Sequence, residues 1–388
     1  MKNENSQLKI LASAPAAKII TQELNRRRFL SFAAAAGGAA FLAACSSPDA
    51  ILKNGLEGSL SMYSWGDYDA PEVLTGFTKK LGPKLTVDSF GSNEEMISKL
   101  TEAKGTSGYD IVVPTGPFIP QMVQNKLLTK LDHSLIPNIK YMDPAFLGRD
   151  WDPNNDYSIC KAWGTTGFVY DKTVIKRELL TWNDFFDAAE NEASGSVSVL
   201  DDPGEITGMY YWAHGIDWNT TKKEDIDAAE DYLVNTFAKH VASFNSNPGS
   251  DAVVQSLQSL IQIWNGDARL GISESDDPDK WQWVLGSPAT ELWMDNWAIA
   301  EGAPHPKSAH AFINYVLEPA NSLKELDYIG YHTGGTGIEE KAKEEGLEML
   351  DLVFFTPEQL ATMKTAEINE AQARTVDIWN KMKAAAGA

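Results

Sequence analysis

Hydrophobic positions switch between period two and helical spacing along residues 59–114. Ser59 to Trp65 alternates apolar with polar residues and is rich in strand formers, and Pro71 near a helical first turn marks the segment that follows. The capping sequence Ser92-Asn-Glu-Glu95 opens another helix. The predicted strands are 59–65, 85–87 and 110–114, and the predicted helices are 71–80 and 92–100. This β-α-β-α-β order predicts a parallel sheet with helices on its faces.

The middle of the chain restarts the same pattern. A strand is predicted at 197–200, and helices are predicted at 207–214, 228–238 and 252–263. The last hundred residues are mainly helical and end in a helix at 366–384. Two α/β segments with a late helical return indicate two lobes with a cleft between them. Because ligands bind beyond the carboxyl ends of such strands, Trp65–Tyr68 and Pro114–Phe118 are candidate site segments.

The first 44 residues predict an export signal rather than part of the fold. They carry six Lys or Arg against two Glu, and the basic stretch ends in Arg26-Arg27-Arg28-Phe29-Leu30. An uncharged run rich in Ala and Gly follows, too short to span a bilayer as a helix. The basic stretch resembles a twin-arginine signal, and Leu42-Ala43-Ala44-Cys45 resembles a lipobox. We therefore expect a lipoprotein signal peptide at 1–44, lipidation of Cys45 and a tether at 45–56.

The charge and the cysteine content exclude several classes of protein. The 388 residues have a formal charge of −21, which disfavours nucleic acid and is compatible with a cationic partner. If Cys45 carries lipid, Cys160 is the one remaining thiol, and we expect it to be a buried structural residue. The six His have no zinc-binding spacing. We expect no metal and no cofactor.

Tryptophan and carboxylate side chains recur together near the ends of predicted elements. They occur together at 65–68, 264–267 and 293–295, and a fourth segment, 201–205, has three carboxylates without a Trp. Acids at the start of a helix are favoured as caps, and we expect one of Asp201 and Asp202 to act as one. Rings combined with acids fit two ligand types, a sugar that stacks on the rings or an organic cation that pairs with the acids.

Seven short sequence runs, in this order, resemble the periplasmic spermidine/putrescine-binding proteins of polyamine ABC importers. The runs are W-G-D-Y at 65–68, D-I-V-V-P at 110–114, D-P-N-N-D-Y-S-I at 152–159, D-D-x-x-E at 201–205, I-W-N-G at 263–266, W-M-D at 293–295 and I-G-Y at 329–331. The resemblance implies an α/β, two-lobed type II periplasmic binding protein fold with an inter-lobe ligand cleft. It implies one lobe at 57–167 plus 295–340 and another at 168–294 plus 341–388.

The resemblance also implies a set of ligand-binding residues. Aromatic rings would line the methylene chain, and acids would pair with the ammonium groups. The rings are Trp65, Tyr68, Trp264, Trp293 and Tyr331, the acids are Asp202, Glu205 and Asp295, and Thr115 keeps a hydroxyl position. Asp67 and Asp267 match positions where putrescine-preferring relatives carry Asp, so putrescine is slightly favoured over spermidine.

The function expected from these observations is that of an extracytoplasmic solute receptor. It would be a monomer in the periplasm or at the cell surface, anchored in the membrane through Cys45. It would capture a polyamine by hinge closure and deliver it to the permease of an ABC importer, without enzymatic activity. Two alternatives stay open: a carbohydrate-binding protein or glycoside hydrolase that uses the same Trp and carboxylate residues, and a polyamine sensor subunit.

Overall fold

A computed structural model describes residues 54–246 and 249–387. The predicted signal peptide, Cys45 and most of the predicted tether lie outside these ranges. No helix within them is long and apolar enough to cross a membrane. The strands are β1 (Ser59–Trp65), β2 (Lys84–Phe90), β3 (Ile111–Val112), β4 (Leu128–Thr129), β5 (Ser158–Asp171), β6 (Val197–Val199), β7 (Val241–Phe244), β8 (Leu260–Trp264), β9 (Trp281–Leu285), β10 (Thr290–Ala300) and β11 (Met363–Lys364).

Helices connect and cover these strands. The α-helices are α1 (Pro71–Leu81), α2 (Asn93–Ala103), α3 (Ile119–Gln124), α4 (Trp182–Asn191), α5 (Pro203–His214), α6 (Lys223–Tyr232), α7 (Asp251–Val254), α8 (Asn265–Glu274), α9 (Pro306–Val316), α10 (Pro319–Ile329), α11 (Ile338–Glu344), α12 (Pro357–Thr362) and α13 (Gln372–Ala386). One π-helical turn, Leu233–Phe237, extends α6.

The first predicted unit folds as its pattern indicates. Strand β1 pairs in parallel with β2 and with β3, which confirms the parallel sheet. Ser92 caps α2 by accepting the backbone N–H of Glu95 at 3.1 Å. The Glu95 carboxylate in turn accepts the backbone N–H of Gly91 at 2.8 Å. These bonds satisfy N–H groups that have no partner within the helix.

The sheet runs in the order β2-β1-β3-β10-β5-β8-β6-β7. Three parallel strands stand at each end, and the antiparallel pair β5–β10 joins the two groups. The pair runs from Leu292 opposite Thr165 to Ala298 opposite Ser158, with an irregularity between Asp295 and Asn296. Both long strands continue through the predicted lobe boundaries at 167/168 and 294/295. We keep these boundaries as a proposal.

Two separate groups of buried side chains each include residues of β5. One contains Phe77, Trp297 and Phe312, together with Cys160, which is 1% exposed as expected for a structural thiol. The other contains Trp182, Trp212 and Phe237, and the C-terminal helix α13 adds Ile378 and Met382 to it. Each α/β segment therefore has a core of its own, and the chain returns to the second core at its C-terminus.

The predicted helix at 252–263 is wrong. Helix α7 covers only Asp251–Val254, and β8 follows at Leu260–Trp264. Ser256 adopts a φ of 51°, in the left-handed region, which ends the helical turn. Strand β8 lies between β5 and β6 with Leu260 to Ile263 buried. An apolar run buried on both faces has no alternation, so its periodicity does not separate it from a buried helix.

Candidate functional site

Strand β10 presents alternate side chains to one face of the sheet. Trp293 and Asp295 were predicted as site residues, and Glu291 lies two positions before Trp293 in the same strand. Successive side chains of a strand point to opposite faces, so these three residues share a face. The strand therefore contributes a ring between two carboxyl groups.

Asp295 lies at one end of this row and is 7% exposed. Its Oδ1 atom accepts a hydrogen bond of 2.7 Å from the Thr115 hydroxyl. Asn93 holds Thr115 in place through bonds of 2.9 and 3.0 Å. Burial raises the pKa of Asp295 to about 6, and the bond from Thr115 opposes that shift. The structure thus brings two predicted residues, Thr115 and Asp295, into direct contact.

Tyr68 faces the same carboxyl group. Its hydroxyl is buried, and no described residue lies in hydrogen-bonding geometry with it. Burial, and next the charge of Asp295, raise the pKa of Tyr68 well above its usual value. The hydroxyl is therefore a neutral group beside the carboxylate with capacity for a further polar partner.

Aromatic rings form the middle of the site. Trp293 meets Tyr331 nearly edge to face, with ring centroids 4.8 Å apart, and Tyr68 lies 6.3 Å from Tyr331. The buried Trp293 indole N–H has no hydrogen-bond partner among the described residues. Flat apolar faces of this kind suit a chain of methylene groups.

Asp267 lies in the first turn of α8, beside these rings. The Tyr331 hydroxyl donates a hydrogen bond of 2.9 Å to its Oδ2 atom. Burial raises the pKa of Asp267 to about 6, and the bond from Tyr331 opposes that shift. The pair joins two residues predicted separately from motifs more than sixty positions apart.

Glu205 and Trp264 form the other end of the site. Glu205 is 2% exposed, and its Oε1 atom accepts bonds from the Trp264 indole at 2.8 Å and from the Thr166 hydroxyl at 2.6 Å. Asp202 caps α5 by accepting the N–H groups of Gly204 and Glu205, as expected for one of the two Asp residues. Burial, and next the charge of Glu205, raise the pKa of Asp202 to about 6.

Glu291 is a site residue that the sequence motifs did not include. Burial, and next the charge of Glu205, raise its pKa well above the usual value for a glutamate. Asp202 and Asp295 contribute in the same direction. Its position in a strand, two residues before Trp293 and four before Asp295, could have indicated Glu291 as a site residue. No strand had been predicted over these residues, however.

Trp65 and Asp67 are less closely joined to this group. The Trp65 indole donates to the Val113 carbonyl at 3.1 Å, and its ring packs on Phe90. Asp67 is exposed with a φ of 52°, and its side chain forms no hydrogen bond with another described residue. A ligand role for these two residues stays a prediction.

Lys161 stabilises the loop that carries Tyr68, and no sequence motif had indicated this residue. It is 3% exposed in β5, with its ammonium 2.9 Å from Asp69 Oδ1 and 3.2 Å from Glu325 Oε2. The same ammonium lies 4.6 Å from the Tyr68 ring centroid and 4.3 Å from that of Trp297. Because Asp69 follows Tyr68 directly, this buried ion triad fixes the loop that carries Tyr68.

The arrangement as a whole is a row of rings between carboxyl groups. Five such groups, Asp202, Glu205, Asp267, Glu291 and Asp295, line it, and four of them have raised pKa values. Within the described residues, none of the five has a Lys or Arg nitrogen at ion-pair distance. No three His, Cys, Asp or Glu side chains in these ranges are arranged to hold a metal ion. Uncompensated carboxyl groups beside rings favour a bound organic cation.

Comparisons with known proteins agree with this fold. The chain is 30% identical over 321 residues to spermidine/putrescine-binding periplasmic protein 1 of Haemophilus influenzae, covering 81% of this chain and 87% of that protein. It is 32% identical over 276 residues to the spermidine/putrescine-binding periplasmic protein of Escherichia coli, covering 71% and 77%.

A solved structure, titled a putative spermidine/putrescine ABC transporter from Listeria monocytogenes, superposes with a TM-score of 0.76 at 28% identity. The alignment covers 84% of this chain and 99% of that one. The predicted α/β, two-lobed type II periplasmic binding protein fold is thereby confirmed.

The family itself is recognised over most of the described chain. Residues 72–346 match the family described as bacterial extracellular solute-binding protein. This match spans both α/β segments and all the predicted ligand-binding residues except Trp65, Asp67 and Tyr68, which precede it. The chain therefore belongs to the bacterial extracellular solute-binding protein family.

Proposed function

We propose that this protein captures a polyamine, putrescine or spermidine, outside the cytoplasm and delivers it to an ABC importer. The observation that carries the proposal is the row of buried and half-buried carboxyl groups without protein counter-ions, interrupted by the rings of Trp293 and Tyr331. The site residues act by binding, and none is assigned a catalytic role.

The chemistry of a polyamine fits both parts of that row. An isolated buried charge is costly, so each ammonium group needs a carboxylate and each buried carboxylate needs a cation. Asp295 at one end and Glu205 at the other supply such partners. The methylene groups between the charges gain from contact with flat rings, and a desolvated ammonium over a Trp face gains roughly 2 kcal/mol.

The relatives support the ligand class and the partner. The proteins of Haemophilus influenzae and Escherichia coli are named for spermidine and putrescine binding in the periplasm. The structure from Listeria monocytogenes is titled a putative spermidine/putrescine ABC transporter. By this likeness we assign this chain a polyamine as its ligand and a membrane permease as its partner.

Capture would proceed by hinge motion between the proposed lobes, 57–167 plus 295–340 and 168–294 plus 341–388. Asp295 and Thr115 would belong to the first lobe, and Glu205 and Trp264 to the second, so closure would bring both ends of the row onto one ligand. Small-angle scattering should show a smaller radius of gyration at saturating ligand, and an unchanged curve would contradict closure.

A thermal-shift panel tests the function directly. Putrescine, cadaverine, spermidine, spermine, amino acids and sugars are compared at equal concentration on residues 45–388. We expect the melting temperature to rise with polyamines, because a ligand that binds only the folded state stabilises it. A rise with sugars or amino acids and none with polyamines would contradict the proposal. Asp295→Asn serves as the site variant that should lose the polyamine response.

A glycoside hydrolase would use the same residue types, paired carboxylates beside Trp platforms. Membership of a solute-binding family favours capture over hydrolysis. Incubation with oligosaccharides and an assay for new reducing ends separates the two, and turnover would contradict the binding function. A polyamine sensor subunit would share the site and differ in its partner, which the neighbouring genes would reveal.

The lipid anchor at Cys45 is part of the same proposal, and it is supported by sequence alone. The Arg26-to-Leu30 segment and the ending Leu42-Ala43-Ala44-Cys45 support export followed by lipidation. Growth with a labelled fatty acid should label the wild-type protein but not Cys45→Ala. Equal labelling of both proteins, or labelling of neither, would contradict the anchor.

A further inference from the structure

We propose that Glu291 is a further ligand carboxyl group, which together with Asp202 and Glu205 makes this end of the cleft bind a ligand terminus that carries two ammonium groups. This inference rests on the proposed function and narrows the preferred ligand from polyamines in general to a triamine such as spermidine rather than a diamine. It departs from the slight preference for putrescine that Asp67 and Asp267 suggest.

The strand register places Glu291 beside Glu205. Leu292 of β10 pairs with Thr165 of β5, so Glu291 lies opposite Thr166. Directly opposed residues of an antiparallel pair project from the same face. The Thr166 hydroxyl donates to Glu205 Oε1 at 2.6 Å, and helix α5, which carries Glu205, contacts β10. Thr166 thus links the backbone position of Glu291 to the carboxylate of Glu205.

The charged groups around Glu291 are mostly acids. Helix α5 contributes Asp202 and Glu205, and β10 itself contributes Asp295. Strand β11 contributes Lys364, the register partner of Glu291, but its ammonium donates to the Ala361 carbonyl at 3.3 Å. Strand β5 contributes the uncharged Thr166 hydroxyl. Three carboxyl groups, Asp202, Glu205 and Glu291, therefore lie near one another at this end of the site.

One ammonium group does not neutralise three carboxyl groups. Putrescine has one ammonium at each end, whereas spermidine has a secondary ammonium three carbons from its primary one. The second charge would pair with Glu291, whose pKa burial and the charge of Glu205 raise in the free protein. Where the Glu291 carboxyl group carries a proton, its O–H bond breaks on binding, the proton passes to the buffer, and the carboxylate pairs with the second ammonium. Spermidine binding should therefore release protons, up to one per ligand at Glu291.

Calorimetry of Glu291→Gln at pH 7 tests the inference. Putrescine and spermidine are titrated in phosphate and in Tris, which differ in ionisation enthalpy, so that released protons are counted. We expect the variant to lose about tenfold or more in spermidine affinity and at most about threefold in putrescine affinity, as for loss of one partner of a buried charge pair. The proton release seen with wild type should largely disappear.

Two controls separate a ligand role from a structural one. Glu274→Gln removes an exposed carboxylate at the end of α8 and should change neither affinity nor proton release. Glu291→Gln should melt no lower than wild type without ligand, because it removes repulsion between neighbouring acids, and a lower melting temperature would overturn the assignment. Equal losses for both ligands, or unchanged spermidine binding, would also overturn it while the polyamine function stands. Failure of the wild type to bind either polyamine would overturn the function itself.

Discussion

The Trp264 indole donates its N–H to Glu205 Oε1 at 2.8 Å, joining a ring and a carboxylate of two separate motifs. Glu205 is 2% exposed, and the Thr166 hydroxyl donates to the same oxygen. The Gln262 side-chain amide donates to the other oxygen, Oε2, at 3.4 Å. Glu205 is thus oriented by three neutral donors, which supply no counter-charge. The remaining charge is available to a cationic ligand.

Replacing Trp264 should weaken ligand binding even when the new side chain is aromatic. Trp264→Phe removes the hydrogen bond to Glu205, and a bond to a charged group is worth about 1.5–3 kcal/mol. We expect polyamine affinity to fall by roughly one order of magnitude in isothermal calorimetry. Trp264→Ala should lose more, because it also removes the ring face. Equal affinity of Trp264→Phe and wild type would show that the bond does not position Glu205 for the ligand.

Asp295→Asn and Asp67→Asn should differ strongly in their effect on polyamine affinity. Asp295 is 7% exposed, so Asp295→Asn would leave an ammonium group unpaired in the cleft, at a cost of about 3–5 kcal/mol. Asp67 is exposed, and an exposed pair contributes at most about 1 kcal/mol. Asn also tolerates the left-handed backbone of Asp67. Near-normal affinity of Asp295→Asn, measured with putrescine and spermidine, would remove Asp295 from the site.

Between pH 5 and 7, the stability of the free protein and its affinity for the ligand should change in opposite directions. Burial raises the pKa of Asp202, Asp267 and Asp295 to about 6, above the ordinary value near 4. A carboxyl group whose pKa is raised by folding stabilises the folded state fully when the pH is below the ordinary pKa of the group. This stabilisation is lost as the pH rises through the raised pKa of about 6. These groups should therefore lower the melting temperature of the free protein as pH rises.

Ligand affinity should show the reverse trend. Ammonium groups pair with carboxylates and not with protonated acids, so affinity should fall at least about tenfold from pH 7 to pH 5. Calorimetry across this range measures it, with the melting temperature of the free protein followed in the same buffers. Affinity independent of pH would mean that these carboxyl groups do not contact the ligand.

Lys161 should be essential for stability, unlike a surface lysine in a comparable ion pair. Lys161→Met leaves Asp69 and Glu325 buried and unpaired, which should cost about 3–5 kcal/mol in the free energy of unfolding. Lys80 pairs with Glu318 at the surface, and Lys80→Met should cost less than about 1 kcal/mol. Urea denaturation compares the two variants. Similar small losses would show that the triad is not an important support of the Tyr68 loop.

Local patterns predicted the start of the fold well. The alternation at 59–65, the Pro at the start of α1 and the Ser92 cap are decided by neighbours in sequence, and β1, α1 and α2 form there. The long strands β5 and β10 were not predicted. Strand β5 is buried along its whole length, so it lacks the alternation that a half-exposed strand shows.

The sequence by itself determined the α/β class, the Trp and carboxylate motifs and the family, because each depends on residue types in a fixed order. Only the tertiary structure decided which of these residues meet. It joined Glu205 to Trp264 and Tyr331 to Asp267, placed Glu291 with the site acids and left Asp67 in solvent. The physical reason is that distant segments of the chain pack against the central strands β5 and β10, so tertiary packing and strand register rather than sequence spacing set which side chains meet.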